Sequence, residues 1–152
     1  MENLTSQGIV WSVFPLCGKT YATNLIGVDA VDSDSSEFSW ILKDGKKVRN
    51  PDFPKNYIEH IKDAMTKHAH VFVSSHKEVR DALTEAGIIF NLVYPERKYL
   101  SAWIDRYNKR DYNGFPLEVL VNNWEKWHDE LESQKCNLHI LFGPEDYISN
   151  LI

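Results

Sequence analysis

No apolar run in this chain approaches the roughly 18 residues that a membrane-spanning helix needs, and Met1-Glu2-Asn3 opens no signal-peptide pattern. A soluble cytoplasmic protein with no membrane partner is therefore expected. Cysteine is scarce: Cys17 and Cys136 stand far apart at no metal-ligand spacing, which argues against a disulfide framework and for a reducing compartment. A basic excess is missing too. The net charge of -5 opposes the basic face that nucleic-acid scaffolds carry, so a nucleic-acid partner is not expected, although local cations can still bind small anions. Internal repeats and low-complexity segments are absent. With 152 residues, 43% of them hydrophobic, one well-buried domain spanning residues 1-152 is expected, and a homodimer stays open.

Against these absences stands Val13-Phe14-Pro15-Leu16-Cys17-Gly18-Lys19-Thr20, which reads as a phosphate-binding loop whose first glycine is replaced by Val13. In such a loop successive backbone amides surround phosphates, the lysine reaches the outer oxygens, and the Ser/Thr hydroxyl ligates magnesium. The expected nucleotide contacts are Pro15, Leu16, Cys17, Gly18, Lys19 and Thr20. The context fits, with an apolar β-branched run, Ile9 to Val13, before the loop and a helical segment from Lys19 to Ile26 after it. Val13 requires negative φ, so the first half of the loop is altered. Cys17, beside a helix amino end, is either a stabilised thiolate or a small residue lining a tight loop.

The changes of hydrophobic period predict strand 9-13, helix 19-26, strand 28-32, helix 54-68, strand 70-74, helix 76-86 and strand 88-94. Helical segments 96-110 and 115-133, strand 137-142 and a helical tail 144-151 follow. Strands alternating with helices imply an α/β fold with a five-stranded parallel sheet covered on both faces, and ligands at the carboxyl edge of the sheet. Two interruptions, about 33-54 and about 97-116, are the expected flap and lid. The first holds Asp-Gly, Asn-Pro and Phe-Pro turn signals.

Several side chains converge on that edge in this reading. Asp32 and Asp34 leave the second strand beside the loop, where Asp32 suits magnesium and Asp34 suits metal or acceptor; an Asx-capped turn is the competing explanation. Arg49 is expected to clamp a monophosphate bidentately, while Lys43, Lys46 and Lys47 read equally well as solvated charge. The third strand ends in Ser74-Ser75-His76, without the acidic residue often found there. Ser74 and His76 are candidate substrate contacts, and Ser75 with Glu78 reads as a capping box. Arg106 and Arg110, four residues apart on one helix face, form a pair able to neutralise a transferring phosphoryl group, with Lys19 and Asp34 completing the expected catalytic set. Leu117, Leu120, Trp124, Trp127 and Leu131 form a core stripe, and the histidines show no metal-ligand grouping.

Together, Phe14 to Thr20, Val31-Asp32-Ser33-Asp34-Ser35-Ser36, Arg49-Asn50-Pro51-Asp52-Phe53-Pro54, Val73 to Arg80 and Arg106-Tyr107 through Trp127 resemble the P-loop nucleoside and nucleotide kinases. They are most similar to the small nucleotide kinases encoded by phages and prophages of Gram-positive bacteria. The acidic strand end is also similar to that of shikimate and gluconate kinases. The resemblance implies a three-layer α/β/α P-loop NTPase fold, ATP and Mg2+, and transfer to a small acceptor such as a (deoxy)nucleoside monophosphate. It also implies the host cytoplasm for a phage-encoded chain. Val13 and the missing strand-three carboxylate depart from that pattern. They leave a non-catalytic nucleotide-binding module, or a kinase for another hydroxylated or modified-base acceptor, as alternatives.

Overall fold

Five apolar, β-branched runs build a parallel sheet with helices packed against it. The computed structural model describes residues 7-25, 27-33, 35-110, 112 and 114-152. In chain order the elements are β1 (Ile9–Val13), α1 (Lys19–Thr23), β2 (Ala30–Asp32), α2 (Ser36–Ser39), β3 (Trp40–Lys43), β4 (Lys46–Arg49), α3 (Lys55–Lys67) and β5 (His70–Ser74). They continue with α4 (Lys77–Glu85), β6 (Phe90–Pro95), α5 (Leu100–Arg110), α6 (Leu117–Glu132) and β7 (Leu138–Phe142). Single 3-10 turns precede α5 at Arg97–Tyr99 and follow β7 at Ile148–Asn150.

The main sheet has the order β2-β5-β1-β6-β7, with every neighbouring pair parallel. All six residues of β6 are buried, as are the last four of β1. Burial of both alternating sets means that both faces are covered. The chain steps from β1 out to β2 in one direction, whereas the later steps to β5, β6 and β7 run the other way. Right-handed crossovers then set α1 on the face opposite α3, α4 and α6. The packing agrees, since α1 touches β2 and the C-terminal 3-10 turn while α3 touches β5 and α4.

Register brings the strand ends together. Val13 lies between Ser74 and Val93, Asp32 stands opposite Phe72, and Pro95 opposite Phe142. The loops after all five strands therefore leave one edge, and the reversal of winding falls at β1. The core beneath that edge includes Val10, Val71, Phe72, Leu92, Val93 and Trp103, each fully buried.

The differences from the expected elements are local. Helix α1 stops at Thr23 instead of Ile26, because the Asn24 amide turns back to the Tyr21 carbonyl at 3.2 Å. Ile26 itself lies outside the described residues. The 33-54 stretch carries α2 and an antiparallel hairpin, β3 paired with β4, in place of a loop without regular structure. Its turn is Asp44-Gly45, with φ of 54° and 75°, the type I′ geometry that matches the twist of flanking strands. The Ser75 cap is not formed. His76 occupies the N-cap position of α4 with extended backbone, Ser75 gives its carbonyl to Arg80 Nε at 2.8 Å, and Glu78 turns to Arg49. The tail reduces to the one 3-10 turn.

Leu92, fully buried in the interior strand β6, tests this core. Leu92→Ala should lower unfolding free energy by about 2 to 5 kcal/mol in urea denaturation. Ile89→Ala, at a side chain 74% exposed, should change it by less than about 0.5 kcal/mol.

Candidate phosphate-binding site

The segment from Phe14 to Gly18 leaves β1 and is held from outside along its whole length. The Phe14 amide donates to Val93 O at 2.9 Å, and its ring meets Trp124 and Trp127 edge-on at centroid distances of 5.7 and 6.0 Å. The next three carbonyls each receive a donor from a distant element. Trp103 Nε1 donates to Pro15 O at 3.0 Å, Arg106 Nη1 to Leu16 O at 2.8 Å, and the Ile148 amide to Cys17 O at 2.9 Å. Leu16 and Gly18 both take positive φ, 67° and 86°, on either side of Cys17. Alternation of this kind turns successive amides toward one side and forms a concave, anion-attracting nest. Among the described residues, none of the amides from Leu16 to Thr20 has a hydrogen-bond acceptor. The carbonyls are thus satisfied and the amides are open.

Val13 shows how the chain turns here without a glycine at that position. The residue is still strand, 1% exposed and registered between β5 and β6, so no unusual φ is asked of it. The left-handed turn falls instead on Leu16, whose side chain is buried, at a cost of about 1 to 2 kcal/mol for a non-glycine residue. Leu16 and Cys17 turn their side chains into the core, so these two residues offer a ligand only backbone.

Lys19 and Thr20, the first two residues of α1, meet Asp32 at the end of β2. Lys19 Nζ lies 3.5 Å from Asp32 Oδ1, and Thr20 Oγ1 donates to Asp32 Oδ2 at 3.4 Å. Asp32 Oδ1 is nevertheless buried and, among the described residues, accepts no hydrogen bond. A buried carboxylate oxygen with spare acceptor capacity beside a threonine hydroxyl suits a hard cation that keeps most of its waters. Among the described residues no three His, Cys, Asp or Glu side chains group as a metal cage. Asp34 lies outside the described residues.

Arg106 does not face outward. It is 8% exposed, with its guanidinium sandwiched between Trp103 and Tyr147 at 4.0 and 3.9 Å from the ring centroids. Besides Leu16 O it donates through Nη2 to Pro144 O at 3.0 Å and Asp146 O at 2.6 Å. Arg110, one turn on, is exposed on the last turn of α5, so the two arginines meet different surroundings. Arg49 is ion-paired with Glu78 and lies over Phe53 and Trp40, at 4.9 and 5.5 Å from the centroids. Ser74 Oγ donates to Ser35 Oγ at 3.2 Å, and His76 is exposed at the start of α4.

Sequence reading missed the clamp formed by Trp103, Tyr147 and Ile148. It also missed the support beneath β2, where the Tyr57 hydroxyl donates to Ser33 O and Ser33 Oγ lies 2.9 Å from His60 Nε2. The only available signal was negative: Trp103 and Tyr147 fall outside the core stripe that the sequence displays. No helix among the described residues is long and apolar enough to cross a membrane. No family model, curated protein or solved structure matches the chain.

Burial pushes the Cys17 thiol up to about 12, with Arg106 and Lys19 opposing only in part. This goes against the stabilised-thiolate reading. The folded state holds the proton that the unfolded chain releases near pH 9. Stability from this group is therefore complete below about pH 9 and is lost as pH rises toward 12, at up to about 1.4 kcal/mol per pH unit. Cys17→Ala should flatten that alkaline decline in urea titrations run at successive pH values. At Gly18, an added Cβ would stand 3.0 Å from Tyr147 Cδ1 at φ 86°. Gly18→Ala should therefore cost at least about 1 to 2 kcal/mol in the same assay.

Proposed function

We propose that the Phe14–Thr20 loop binds the phosphates of a nucleoside triphosphate, ATP in the simplest case, and supports phosphoryl transfer to a (deoxy)nucleoside monophosphate. The observation that carries the reading is the divided backbone of the loop. Three carbonyls are fixed outward by Trp103, Arg106 and Ile148, while the amides of residues 16-20 find no acceptor among the described residues. An anion of several oxygens is the ligand that such a concavity stabilises.

Each neighbouring side chain has a role in that reaction. Lys19 would leave Asp32 for the outer phosphate oxygens and spread the charge that develops there. Thr20 and Asp32 would hold Mg2+, whose chemistry here is neutralisation of phosphate charge. The acceptor phosphate oxygen attacks the γ-phosphorus, the bond to the β–γ bridging oxygen breaks, and ADP leaves with that electron pair. A phosphate acceptor is ionised at neutral pH, so this step needs no general base. Arg49 would exchange Glu78 for the acceptor phosphate, a swap between two anions that keeps its stacking on Phe53. Arg106 is a positioning residue in this scheme, since both its terminal nitrogens are engaged by the loop and the segment after β7.

That engagement of Arg106 favours a second reading, a nucleotide-binding module without turnover, because one of the two expected charge-neutralising arginines is committed to structure. The two readings differ in a single experiment: ADP release from Mg-ATP, followed across a panel of ribo- and deoxynucleoside monophosphates. Acceptor-dependent release is expected, reduced at least roughly 100-fold in Lys19→Ala with an unchanged melting temperature. Turnover that survives in Lys19→Ala would rule out the mechanism. ATP binding without turnover on any acceptor would favour the module.

A further inference from the structure

The hairpin β3–β4 concentrates a charge opposite to that of the rest of the chain. Lys43, Lys46, Lys47 and Arg49 lie within ten residues of one carboxylate, Asp44, in a chain of net charge -5. All four cations are exposed. Cross-strand pairs set Trp40 opposite Arg49 and Leu42 opposite Lys47, so strand alternation puts these four on one face. On that face Trp40 carries both cations, with Lys47 Nζ 5.4 Å and Arg49 Cζ 5.5 Å from its ring centroid. Trp40 is 39% exposed and Leu42 78%.

The gradient along the hairpin decides what this surface fits. Its base, next to α2, is aromatic and aliphatic, whereas its tip, Lys43-Asp44-Gly45-Lys46, is wholly polar. A membrane-inserting hairpin would have the reverse order, with apolar residues at the tip. A single strand of nucleic acid fits the observed order, because it offers a flat base for an aromatic ring and a trailing chain of phosphates for a row of cations. Arg49 and Lys47 are about 7 Å apart along their strand, a spacing that a flexible phosphodiester backbone can follow.

Resting on the phosphoryl-transfer reading above, we propose that the hairpin binds single-stranded nucleic acid, one base stacking on Trp40, the acceptor phosphate lying on Arg49 and the adjoining phosphate on Lys47. The acceptor is then a terminal nucleotide presented on a strand, and the acceptor atom remains a phosphate oxygen, so the transfer step is unchanged. The chain-wide negative charge, which speaks against a nucleic-acid scaffold, is compatible with this local site. It confines attraction to the hairpin and repels the strand elsewhere.

The test is fluorescence anisotropy of a fluorescein-labelled oligothymidylate of about 12 nucleotides, long enough to span one such groove. The intact protein should bind it with log Kd rising against log salt at a slope of about 1.4, as for the two phosphates neutralised by Arg49 and Lys47 on a single strand. Lys47→Gln, which removes one of the two phosphate contacts on the Trp40 face, should weaken binding several-fold and lower that slope by about 0.7. Trp40→Ala should weaken it roughly 5- to 100-fold, and Trp40→Phe, which keeps a stacking ring and guards against a misfolded hairpin, should restore most of the loss. Mg-ATP binding, measured on the same preparations, should be unaffected by these substitutions. The proposal falls if the oligonucleotide does not bind while ATP does, if the variants bind it as tightly as the parent, or if thymidine monophosphate competes equally on a molar basis. Preference for phosphatidylserine vesicles would also overturn it. Oligonucleotide binding with these dependences but no ATP binding would uphold the hairpin surface and overturn the loop reading on which the acceptor role depends.

Discussion

The direction of three carbonyl groups governs this site. A peptide unit cannot turn its oxygen one way without turning the neighbouring amide the other, so fixing Pro15, Leu16 and Cys17 from outside also determines where the amides point. Trp103, Arg106 and Ile148 supply the fixing donors, and each is held by packing of its own. The Arg106 guanidinium, set between two aromatic rings and bonded to carbonyls of two segments, joins α5, the loop and the stretch after β7 into one unit. Such an arrangement is costly to deform, because removing any donor leaves a buried carbonyl without a partner. Such stiffness keeps the backbone dipoles aimed before any ligand arrives.

Around the rigid loop the remaining cations are held more loosely. Arg49 and Glu78 form a half-exposed ion pair, which solvent screens, and an anionic ligand can displace the carboxylate at little expense. Lys19 faces Asp32 without a close hydrogen bond. A rigid backbone cradle bordered by exchangeable side chains gives a site that is shaped beforehand yet still able to rearrange its charges around a ligand.

Legibility in the sequence followed the range of the interaction. His70 to Ser74 was assigned to its last residue, because an uninterrupted β-branched run between polar neighbours has only one way to be buried. Lys19 and Thr20 stand beside Asp32, a proximity that strand and loop order fix and that the sequence order makes readable. Arg106 shows where such reasoning stops. Its partners are backbone carbonyls some 38 to 90 residues away, which leave no side-chain pattern to read, and helical spacing alone suggested an outward pair with Arg110. Ser75 looked like a helix cap by composition, but Arg80 captured its carbonyl and Arg49 captured Glu78, tertiary contacts that override a local preference. The Asp44-Gly45 signal was visible as a turn. Its flanking strands were harder to read, because both hairpin faces are open to solvent and the hydrophobic alternation that marks a half-buried strand is weak.

The Trp103 and Arg106 donors lie 88 and 90 residues beyond the carbonyls they hold, which gives the loop a place in the order of folding. Helices and neighbouring strands can condense from contacts close in sequence, whereas closing chain segments this long is entropically unfavourable until much of the sheet exists. The amide cradle near the start of the chain therefore takes its shape only once α5 and the segment after β7 have docked, even where β1 and α1 are already in place.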